Sequence, residues 1–483
     1  MAWRGAAELS LPVLHFESLD AATVSWCRDW RALTPMNRAW SPNSRLLAAF
    51  QLAKSGRAAK ADALWRRYSD SAPPIAILVP AYNEEKTIVE SLSSLMAIQY
   101  PNYEVIIIND GSSDATLEVL KDAFNLVETS RLYSPLAPHQ PIKTIYRSQH
   151  QKRLVVIDKA NGGKADALNA GINVSRAPLF CCVDADSVLE PDALLRTVKP
   201  FMEDPERTIA VGGTVRIANG SVIRNGQILK VQLPKKMLPL LQTVEYLRAF
   251  LMTRIAWSRL NTVLIISGAF GLFRRDAVLK VGGYSLGTVG EDMELVVKLH
   301  RTLIEQKQDY RIRFIPEPVC WTEAPETLSV LRNQRARWQR GTLETFERHG
   351  MMALNPRYGL VGVLGFGNVL ITDVIGPIVD AIGFILFPIL AFTGSLPLDY
   401  FLAYIAVTSG FGLAISVGSL ALEEAQLRRV PKASDLALLT AICVLENLGY
   451  RQLNSLWRVQ GWVQYLKRSG SWGVMTRKGF TAS

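Results

Sequence analysis

Two sets of carboxylates follow short apolar runs of the kind that form buried strands. Asp110 comes shortly after residues 105–108, and Asp184 and Asp186 follow residues 179–183. Ligands of open parallel sheets bind at the carboxyl ends of the strands, so these carboxylates are expected at one edge of a sheet. An Asp-x-Asp pair suits Mg²⁺ or Mn²⁺, which take one or two carboxylates together with substrate phosphates. Surface turns produce such pairs as well, but a position directly after an apolar strand favours the metal site.

Two loops can either bind a ligand or serve only as turns. Residues 109–114, Asn-Asp-Gly-Ser-Ser-Asp, are the types that favour turns and helix N-caps. Residues 161–164, Asn-Gly-Gly-Lys, lie where a helix is expected to begin. A helix N-terminus can hold an anion, and Lys164 could reach a phosphate. Neither loop decides between the two interpretations by itself.

Two predicted helices carry further side chains that could take part in a reaction. Asp292 lies in the first turn of one helix, where acids stabilise the helix dipole but can also act as a general base toward a hydroxyl. On the other helix, Gln334 and Trp338 share a face because they are four residues apart. Trp338 could stack on a sugar or lie at a membrane interface, and Arg337 could bind a diphosphate.

The elements that must position these groups alternate between strands and helices from residue 74 onward. Short continuous apolar runs separated by helices predict an α/β fold with a parallel sheet covered on both faces. The predicted strands are 75–79, 105–108, 154–157, 179–183, 209–211 and 264–266, and the predicted helices are 84–97, 116–124, 164–173, 238–257, 276–281, 292–305 and 328–350. Residues 126–150 carry three prolines and are expected to form a surface insertion.

Composition divides the chain into a charged part and an apolar part. Of the 483 residues, 20% are charged and 49% hydrophobic, and charges become sparse in residues 358–422. The net charge is +11, and the cations are concentrated around the apolar stretches. We therefore expect these segments to face a surface of anionic lipid, and we expect no nucleic acid partner. The five cysteines form no Cys-x-x-Cys pair, which indicates buried thiols in a reducing compartment. No signal peptide is expected in residues 1–71.

The apolar C-terminal part predicts two membrane spans, at residues 375–395 and 400–420. Each is long enough to cross the hydrocarbon core, which needs about 20 residues. The segments 358–376 and 436–450 are ambiguous because each carries an acidic residue. The cations at 428–432 predict that this loop faces the cytoplasm. The expected location is therefore multi-pass in the cell membrane, with the catalytic domain cytoplasmic.

Three domains are predicted from these patterns. Residues 1–72 should form a helical appendage whose tryptophans pack on the next domain or contact the membrane interface. Residues 73–350 should form the α/β domain, and residues 351–483 the transmembrane and interfacial helices with a basic tail.

Taken together and in order, the motifs resemble those of inverting family-2 glycosyltransferases in the membrane-embedded processive branch. Cellulose, chitin, hyaluronan and poly-N-acetylglucosamine synthases belong to that branch. Residues 80–85, Pro-Ala-Tyr-Asn-Glu-Glu, add to the resemblance, which is strong over 74–350 and holds in outline beyond it. It implies a GT-A catalytic domain that polymerises a nucleotide-activated, UDP-linked sugar into a β-linked polysaccharide and exports it.

The resemblance also implies roles for individual residues. Those implied to hold the nucleotide sugar are Pro80, Tyr82, Glu84, Asp110, Lys164, Asp184 and Arg337. Asp184 and Asp186 would bind Mg²⁺ or Mn²⁺, and Asp292 would be the catalytic base. The acceptor would be held by Ser267, Gly268, Ala269, Gln334 and Trp338.

The chain departs from the pattern of the branch in ways that leave alternatives open. The base motif reads Gly-Glu-Asp where many relatives have Thr-Glu-Asp, and Ala269 stands where relatives often carry a polar residue. No N-terminal spans are expected, so export would need a second copy of the chain or an export partner. One alternative function is a single transfer of sugar to a membrane lipid. The other is a non-catalytic membrane scaffold that binds a nucleotide sugar.

Overall fold

The computed structural model describes residues 71–224, 227–395, 397–427 and 432–467. All of them belong to one compact unit. Four predictions lie outside the described residues: the appendage 1–72 except for its last two positions, Cys27, most of the cationic loop 428–432, and the basic tail after residue 467.

The described residues form twelve strands, ten of which make up the sheet at the centre of the α/β part. The strands are β1 Ile75–Ala81, β2 Tyr103–Asp110, β3 Leu126–Glu128, β4 Ile142–Ser148, β5 Leu154–Lys159, β6 Leu179–Val183, β7 Val188–Leu189, β8 Thr208–Ile217, β9 Val222–Arg224, β10 Gln227–Lys230, β11 Phe270–Arg274 and β12 Arg311–Thr322. Their order in the sheet is β3-β4-β5-β2-β1-β6-β11-β8-β12-β7, while β9 and β10 form a separate hairpin. The sheet is mixed: β5, β2, β1 and β6 run parallel at its centre, and β11 runs antiparallel to both of its neighbours.

The helices cover this sheet and continue into the C-terminal part. They are α1 Ile88–Met96, α2 Thr116–Phe124, α3 Lys164–Val174, α4 Ala193–Glu203, α5 Met237–Leu247, α6 Ile255–Arg259, α7 Arg275–Lys280, α8 Glu291–Glu305, α9 Leu328–His349, α10 Gly376–Phe392, α11 Leu398–Leu427, α12 Ala433–Leu445 and α13 Arg451–Leu466. The first five residues of β1 and all of β6 are buried, as expected for central strands with both faces covered.

The predicted surface insertion is wrong for residues 142–148. They form β4, which pairs antiparallel with β5 and extends the sheet beyond its parallel centre. The three prolines all lie before this strand, between positions 135 and 141. A proline cannot donate a ladder hydrogen bond, but residues placed after the last one can.

The predicted strand at 264–266 is also wrong. This buried segment has no regular secondary structure, and β11 occupies the sheet position beside β6. The side chain of Ile266 lies over the sheet face where Gly212 and Gly271 have no Cβ atom; an added Cβ would lie 3.2 Å and 2.6 Å from it. The segment is apolar because it covers the sheet and not because it belongs to it.

Two helical segments of the C-terminal part are long and apolar enough to cross a membrane. Among the described residues they are Val361–Phe392 and Leu398–Ala421, and they overlap both ranges predicted to span the membrane. The first is continuous because the π-helical turns Val361–Phe366 and Val369–Ile375 lead into α10. Ala433–Leu445 is apolar but shorter. The four cysteines in the described part of the chain are buried and free, as predicted.

Candidate active site

Asp110 ends β2 at the same sheet edge where β6 ends, since both strands run parallel to β1. Its carboxylate is buried and accepts hydrogen bonds from the backbone N–H groups of Gly162 and Gly163, at 3.0 and 2.7 Å. Lys159 Nζ lies 2.6 Å from Asp110 Oδ1. Asp110 therefore shapes the loop that leads into α3, and its predicted contact with a nucleoside stays a prediction.

The loop after β1 is tied to the loop after β2. Asn83, whose φ is +56°, accepts a hydrogen bond from the N–H of Ser113 at 2.8 Å. Pro80 lies half-buried at the end of the strand, and Glu84 accepts a hydrogen bond from a neighbouring threonine hydroxyl at 2.7 Å. Tyr82 is 53% exposed, so its ring is available to a ligand at this edge.

Lys164 joins two parts of the candidate site. One is the sheet edge at the ends of β1, β2 and β6, called the donor edge below because the nucleotide sugar is predicted to bind there. The other is the helix that carries the predicted base. Lys164 is the first residue of α3, and its ammonium lies 2.6 Å from Asp184 Oδ1 and 3.4 Å from Glu291 Oε1. Burial disfavours the charged lysine, but the carboxylates outweigh it and raise the pKa of Lys164. Burial raises the pKa of Glu291, and the nearby negative charge of Asp292 adds to that effect. The site thus keeps one cation among several acids.

Asp292 is oriented by two backbone N–H groups. Gly268 donates to Oδ2 at 3.1 Å and Met293 donates to Oδ1 at 2.8 Å. A Cβ at position 268 would lie 2.8 Å from Lys164 Nζ, so a side chain there would require the ammonium to shift. The N-terminus of α8 is held in place by Gly290, whose backbone packs against Gly341 of α9. A carboxylate fixed in this way beside a cationic group is suited to accept a proton from a bound hydroxyl.

The helix α9 brings the predicted acceptor residues to the same side. Trp338 is 41% exposed, and the guanidinium carbon of Arg335 lies 4.4 Å from the centre of its ring. Arg335 also donates to Glu245 at 2.7 Å. Gln334 Oε1 is buried without a hydrogen-bond partner in the described part of the chain, and Arg337 is half-buried. Sequence analysis did not assign a role to Arg335, although it lies inside the Gln-Arg-x-Arg-Trp motif.

Asp184 and Asp186 fit a divalent cation that also binds a ligand. Both are partly exposed at the end of β6, and the Asp184 side chain is 28% accessible. The described residues contain no group of three or more His, Cys, Asp or Glu that could hold a metal ion. The chain thus offers two carboxylates at this position, which is the number that Mg²⁺ uses when substrate phosphates complete its coordination.

The comparison with family profiles decides the class of the domain. Residues 76–282 match the family described as glycosyl transferase family 2. These residues are a family-2 glycosyltransferase domain. Together with the mixed sheet, this assignment confirms the predicted GT-A class of α/β fold.

The chain is similar to two staphylococcal polysaccharide synthases and to one mannosyltransferase of known structure. The chain is 32% identical over 274 residues to a poly-β-1,6-N-acetyl-D-glucosamine synthase of Staphylococcus epidermidis, covering 57% of the chain and 56% of the relative. The corresponding synthase of Staphylococcus aureus is 31% identical over 302 residues, covering 62% of each. Mannosyltransferase PcManGT from Pyrobaculum calidifontis, in complex with GDP-Man and Mn²⁺, superposes with a TM-score of 0.49 at 18% identity, covering 88% of this chain and 96% of that one. The chain thus spans about 56 to 62% of the length of the synthases it matches.

Polar contacts connect α9 to the C-terminal helices. Gln339 of α9 donates to the carbonyl of Asp373 at 2.6 Å and accepts from Arg458 of α13 at 2.7 Å. Gly461 of α13 lies so close to α9 that a Cβ there would lie 2.5 Å from the carbonyl oxygen of Ala336. The helix that carries Gln334 and Trp338 is therefore packed directly on the C-terminal helices.

A second set of contacts involves α5 and the π-helical turn that follows it, Arg248–Arg254. Arg248 forms an ion pair with Glu446, whose side chain is fully buried. Glu245, the partner of Arg335, also accepts a hydrogen bond from the hydroxyl of Tyr450 at 2.7 Å. Sequence analysis missed these pairs because their members are about 200 positions apart, as the separations of 198 and 205 show.

A cleft of about 790 Å³ opens beside Lys164. Its walls are the loop 162–165, the loop 287–289, the second half of α9 and the end of α13. Arg340 and Glu344 of α9 lie in this wall as an ion pair at 3.2 Å. The cleft therefore opens beside the N-terminus of α3, next to the end of α13.

Proposed function

We propose that the chain is an inverting glycosyltransferase that polymerises N-acetylglucosamine from a UDP-linked donor into a β-linked polysaccharide. The observation that carries the proposal is the fixed carboxylate of Asp292, held by Gly268 N–H beside the Lys164–Asp184 pair. It joins a candidate base to a candidate phosphate-binding edge in one glycosyltransferase domain. The sugar is proposed from the names of the staphylococcal relatives.

The reaction is a single in-line displacement. A hydroxyl of the acceptor sugar attacks the anomeric carbon of the donor from the face opposite the diphosphate. The new C–O bond forms as the bond from the anomeric carbon to the phosphate oxygen breaks, so the configuration inverts and UDP leaves. Asp292 takes the proton of the attacking hydroxyl. Lys164 remains protonated because the surrounding acids raise its pKa, and its charge stabilises the leaving diphosphate.

Asp184 and Asp186 would hold Mg²⁺ or Mn²⁺ together with the diphosphate. Such an ion supplies positive charge that neutralises the leaving group. When the donor binds, Lys164 could exchange its contact with Asp184 for one with a phosphate, since both are acceptors for its ammonium. Pro80, Tyr82, Glu84 and Asp110 line the edge at which the nucleoside would lie, and Arg337 would contact the diphosphate.

The two apolar helical segments would anchor the enzyme in the cell membrane with the catalytic domain in the cytoplasm, where nucleotide sugars are made. Gln334, Trp338, Gly268 and Ala269 would hold the growing polysaccharide at the membrane side of the site. Export of the product would use these helices together with a second copy of the chain or a partner, because two spans enclose no channel by themselves.

Purified membranes that contain the chain test this proposal when given labelled UDP-N-acetylglucosamine and Mg²⁺. We expect labelled polymer that a β-N-acetylglucosaminidase degrades, and release of UDP in proportion. Membranes with Asp292→Asn serve as the control for other transferases. Labelled lipid without polymer would show single transfer to a lipid instead. Absence of turnover with a panel of UDP- and GDP-sugars would favour the scaffold.

A further inference from the structure

The loop that leads into α8 is fixed to α9 by the side chain of Glu344. Its Oε2 atom accepts hydrogen bonds from the hydroxyl of Thr288 and from the N–H of Val289, both at 2.9 Å. The hydroxyl of Thr288 in turn accepts from the N–H of Gly290 at 3.2 Å, and Gly290 is the N-cap of α8. Glu344 thus holds three consecutive residues, two of them directly and the third through one hydroxyl.

These contacts end just before the candidate base. The N–H of Glu294 donates to the carbonyl of Gly290 at 2.9 Å, which is an early hydrogen bond of α8, and Asp292 lies in the same first turn. A helical turn fixes the direction of its side chains, so the position of Asp292 depends on where Gly290 is held. The N–H of Gly268 orients the carboxylate but does not decide where the helix begins.

Glu344 is itself restrained. Its Oε1 atom lies 3.2 Å from Arg340 Nε, and its side chain is only 20% accessible. One turn further along α9, Arg348 donates to the carbonyl of Leu286 at 3.2 Å and so holds the same loop at a second place. The ion pair restricts the orientation of the Glu344 carboxylate, and the carboxylate can therefore hold the loop in one position.

The same helix carries residues that are proposed to bind the acceptor. Gln334 and Gly341 are seven residues apart, close to two helical turns, so they lie on nearly the same side of α9. Trp338 lies between them on that side. Gly341 packs on the start of α8, since a Cβ there would lie 2.7 Å from the Cα atom of Gly290. The side of α9 that carries the acceptor motif thus continues into the surface that supports the base.

We infer that Glu344 is a positioning residue for the candidate base: it fixes the first turn of α8, and with it Asp292, relative to the acceptor held on α9. This inference rests on the proposed function and adds a residue that the motifs do not include. Asp292 must lie within hydrogen-bonding distance of the attacking hydroxyl, and a displacement of about 1 Å can lower a rate about a hundredfold. Glu344 acts through the loop and takes no proton in the reaction.

The test compares Glu344→Ala, which removes the acceptor of both loop donors, with Glu344→Gln, whose amide oxygen can still accept from them. Glu347→Ala, at an exposed position of the same helix, is the matched control. Release of UDP from UDP-N-acetylglucosamine gives kcat and KM, and calorimetry gives the affinity for UDP. For Glu344→Ala we expect kcat to fall about 10- to 100-fold with UDP affinity unchanged, because the base is displaced and the donor edge is not. Glu344→Gln should keep most of the wild-type kcat.

A second variant, Thr288→Val, keeps the shape of the threonine but removes the hydroxyl that donates to Glu344. It should lower kcat in the same way, again with normal UDP affinity. Since both changes break the same contact, the double variant should show less than the product of the two single effects. Thr288→Val also carries the test if Glu344→Ala does not fold.

Four outcomes would overturn the inference. A kcat for Glu344→Ala equal to that of Glu347→Ala would show that the contact does not position the base. Weaker UDP binding with an unchanged kcat would place the effect of Glu344 on the donor edge. A kcat as low in Glu344→Gln as in Glu344→Ala would mean that the charge is required and not the contact with the loop. Fully multiplicative effects in the double variant would mean that Glu344 does not act through Thr288. Failure of the proposed function gives a different result, since the wild-type chain would then form no polymer.

Discussion

The donor edge and the acceptor side of the site are built in different ways. The donor edge consists of loops that directly follow parallel strands, and its charges are paired within the catalytic domain, as Asp110 is with Lys159. The acceptor side consists of helices α5, α8 and α9. The π-helical turn after α5 and the helix α9 also contact the C-terminal helices. The donor edge can therefore form from the glycosyltransferase domain alone, whereas the acceptor side depends on the C-terminal helices as well.

The two regions also differ in how their central polar side chains are paired, although each contains buried polar atoms without a hydrogen-bond partner among the described residues, such as Asn109 Oδ1 on the donor edge. Both carboxylate oxygens of Asp110 accept hydrogen bonds from the loop that they shape. On the acceptor side, Gln334 Oε1 is buried without a hydrogen-bond partner among the described residues. Unsatisfied polar groups in a native structure usually have a reason, and here a sugar rich in hydroxyl groups is a suitable partner. The comparison predicts that changes on the donor edge act on nucleotide binding and that changes on the acceptor side act on elongation.

The largest effect is expected where the two regions meet, at Asp292. Asp292→Asn should lower polymer synthesis roughly a thousandfold, because an amide cannot take the proton. The amide oxygen can still accept from Gly268 N–H, so UDP affinity should change little. Polymer formation and calorimetric UDP binding are the measurements. Residual turnover close to that of the wild-type chain would remove Asp292 from the role of base.

A change confined to the donor edge is Asp186→Ala. It should lower activity on the order of 100-fold and weaken UDP binding, because the metal that it helps to hold would neutralise the diphosphate. A chelator should abolish wild-type activity, and Mg²⁺ or Mn²⁺ should restore it. Asp309→Asn, at a position whose side chain is 69% exposed, is the control. Activity that persists in chelator would contradict the metal role of Asp184 and Asp186.

A change confined to the acceptor side is Trp338→Ala. We expect elongation to fall roughly fivefold, as for loss of about 1 kcal/mol of stacking, while UDP affinity stays the same. Trp338→Phe keeps an aromatic face and should recover most of the activity. Product length and UDP release are measured together. An unaffected product would favour single transfer to a lipid acceptor, since that reaction does not need the α9 motif.

The smallest effect is expected at the ion pair between Arg248 and Glu446, which connects the π-helical turn after α5 to the C-terminal helices. Arg248→Met leaves Glu446 buried without its cation and should lower the free energy of unfolding by about 1–3 kcal/mol, less than for a fully buried pair because Arg248 is 26% exposed. Arg301→Met, which breaks an exposed pair with Glu305, should cost about 0–1 kcal/mol. Thermal unfolding in detergent compares the two variants. An equal Tm for both would show that the Arg248–Glu446 pair does not hold the parts together.

Local patterns determined a large part of the fold. The apolar runs of β1, β2, β5 and β6 are continuous because both faces of these strands are buried, and periodicity detects that directly. Length and hydropathy likewise predicted the two helical segments that are long and apolar enough to cross a membrane. The strand β4 and the segment 264–266 were mispredicted. Strand pairing decides whether a short apolar run joins the sheet or covers it, and pairing is not a local property.

The sequence by itself also predicted the residues of a site, from Asp110 and Lys164 to Asp292 and Trp338, because each motif is a short run with distinctive chemistry. Only the tertiary structure placed Gly268 N–H on Asp292 and the ammonium of Lys164 on Asp184. These relations join positions that lie far apart in the chain. The physical reason is that hydrogen bonds and ion pairs act over a few ångströms of space, and chain folding alone decides which distant residues come within that range.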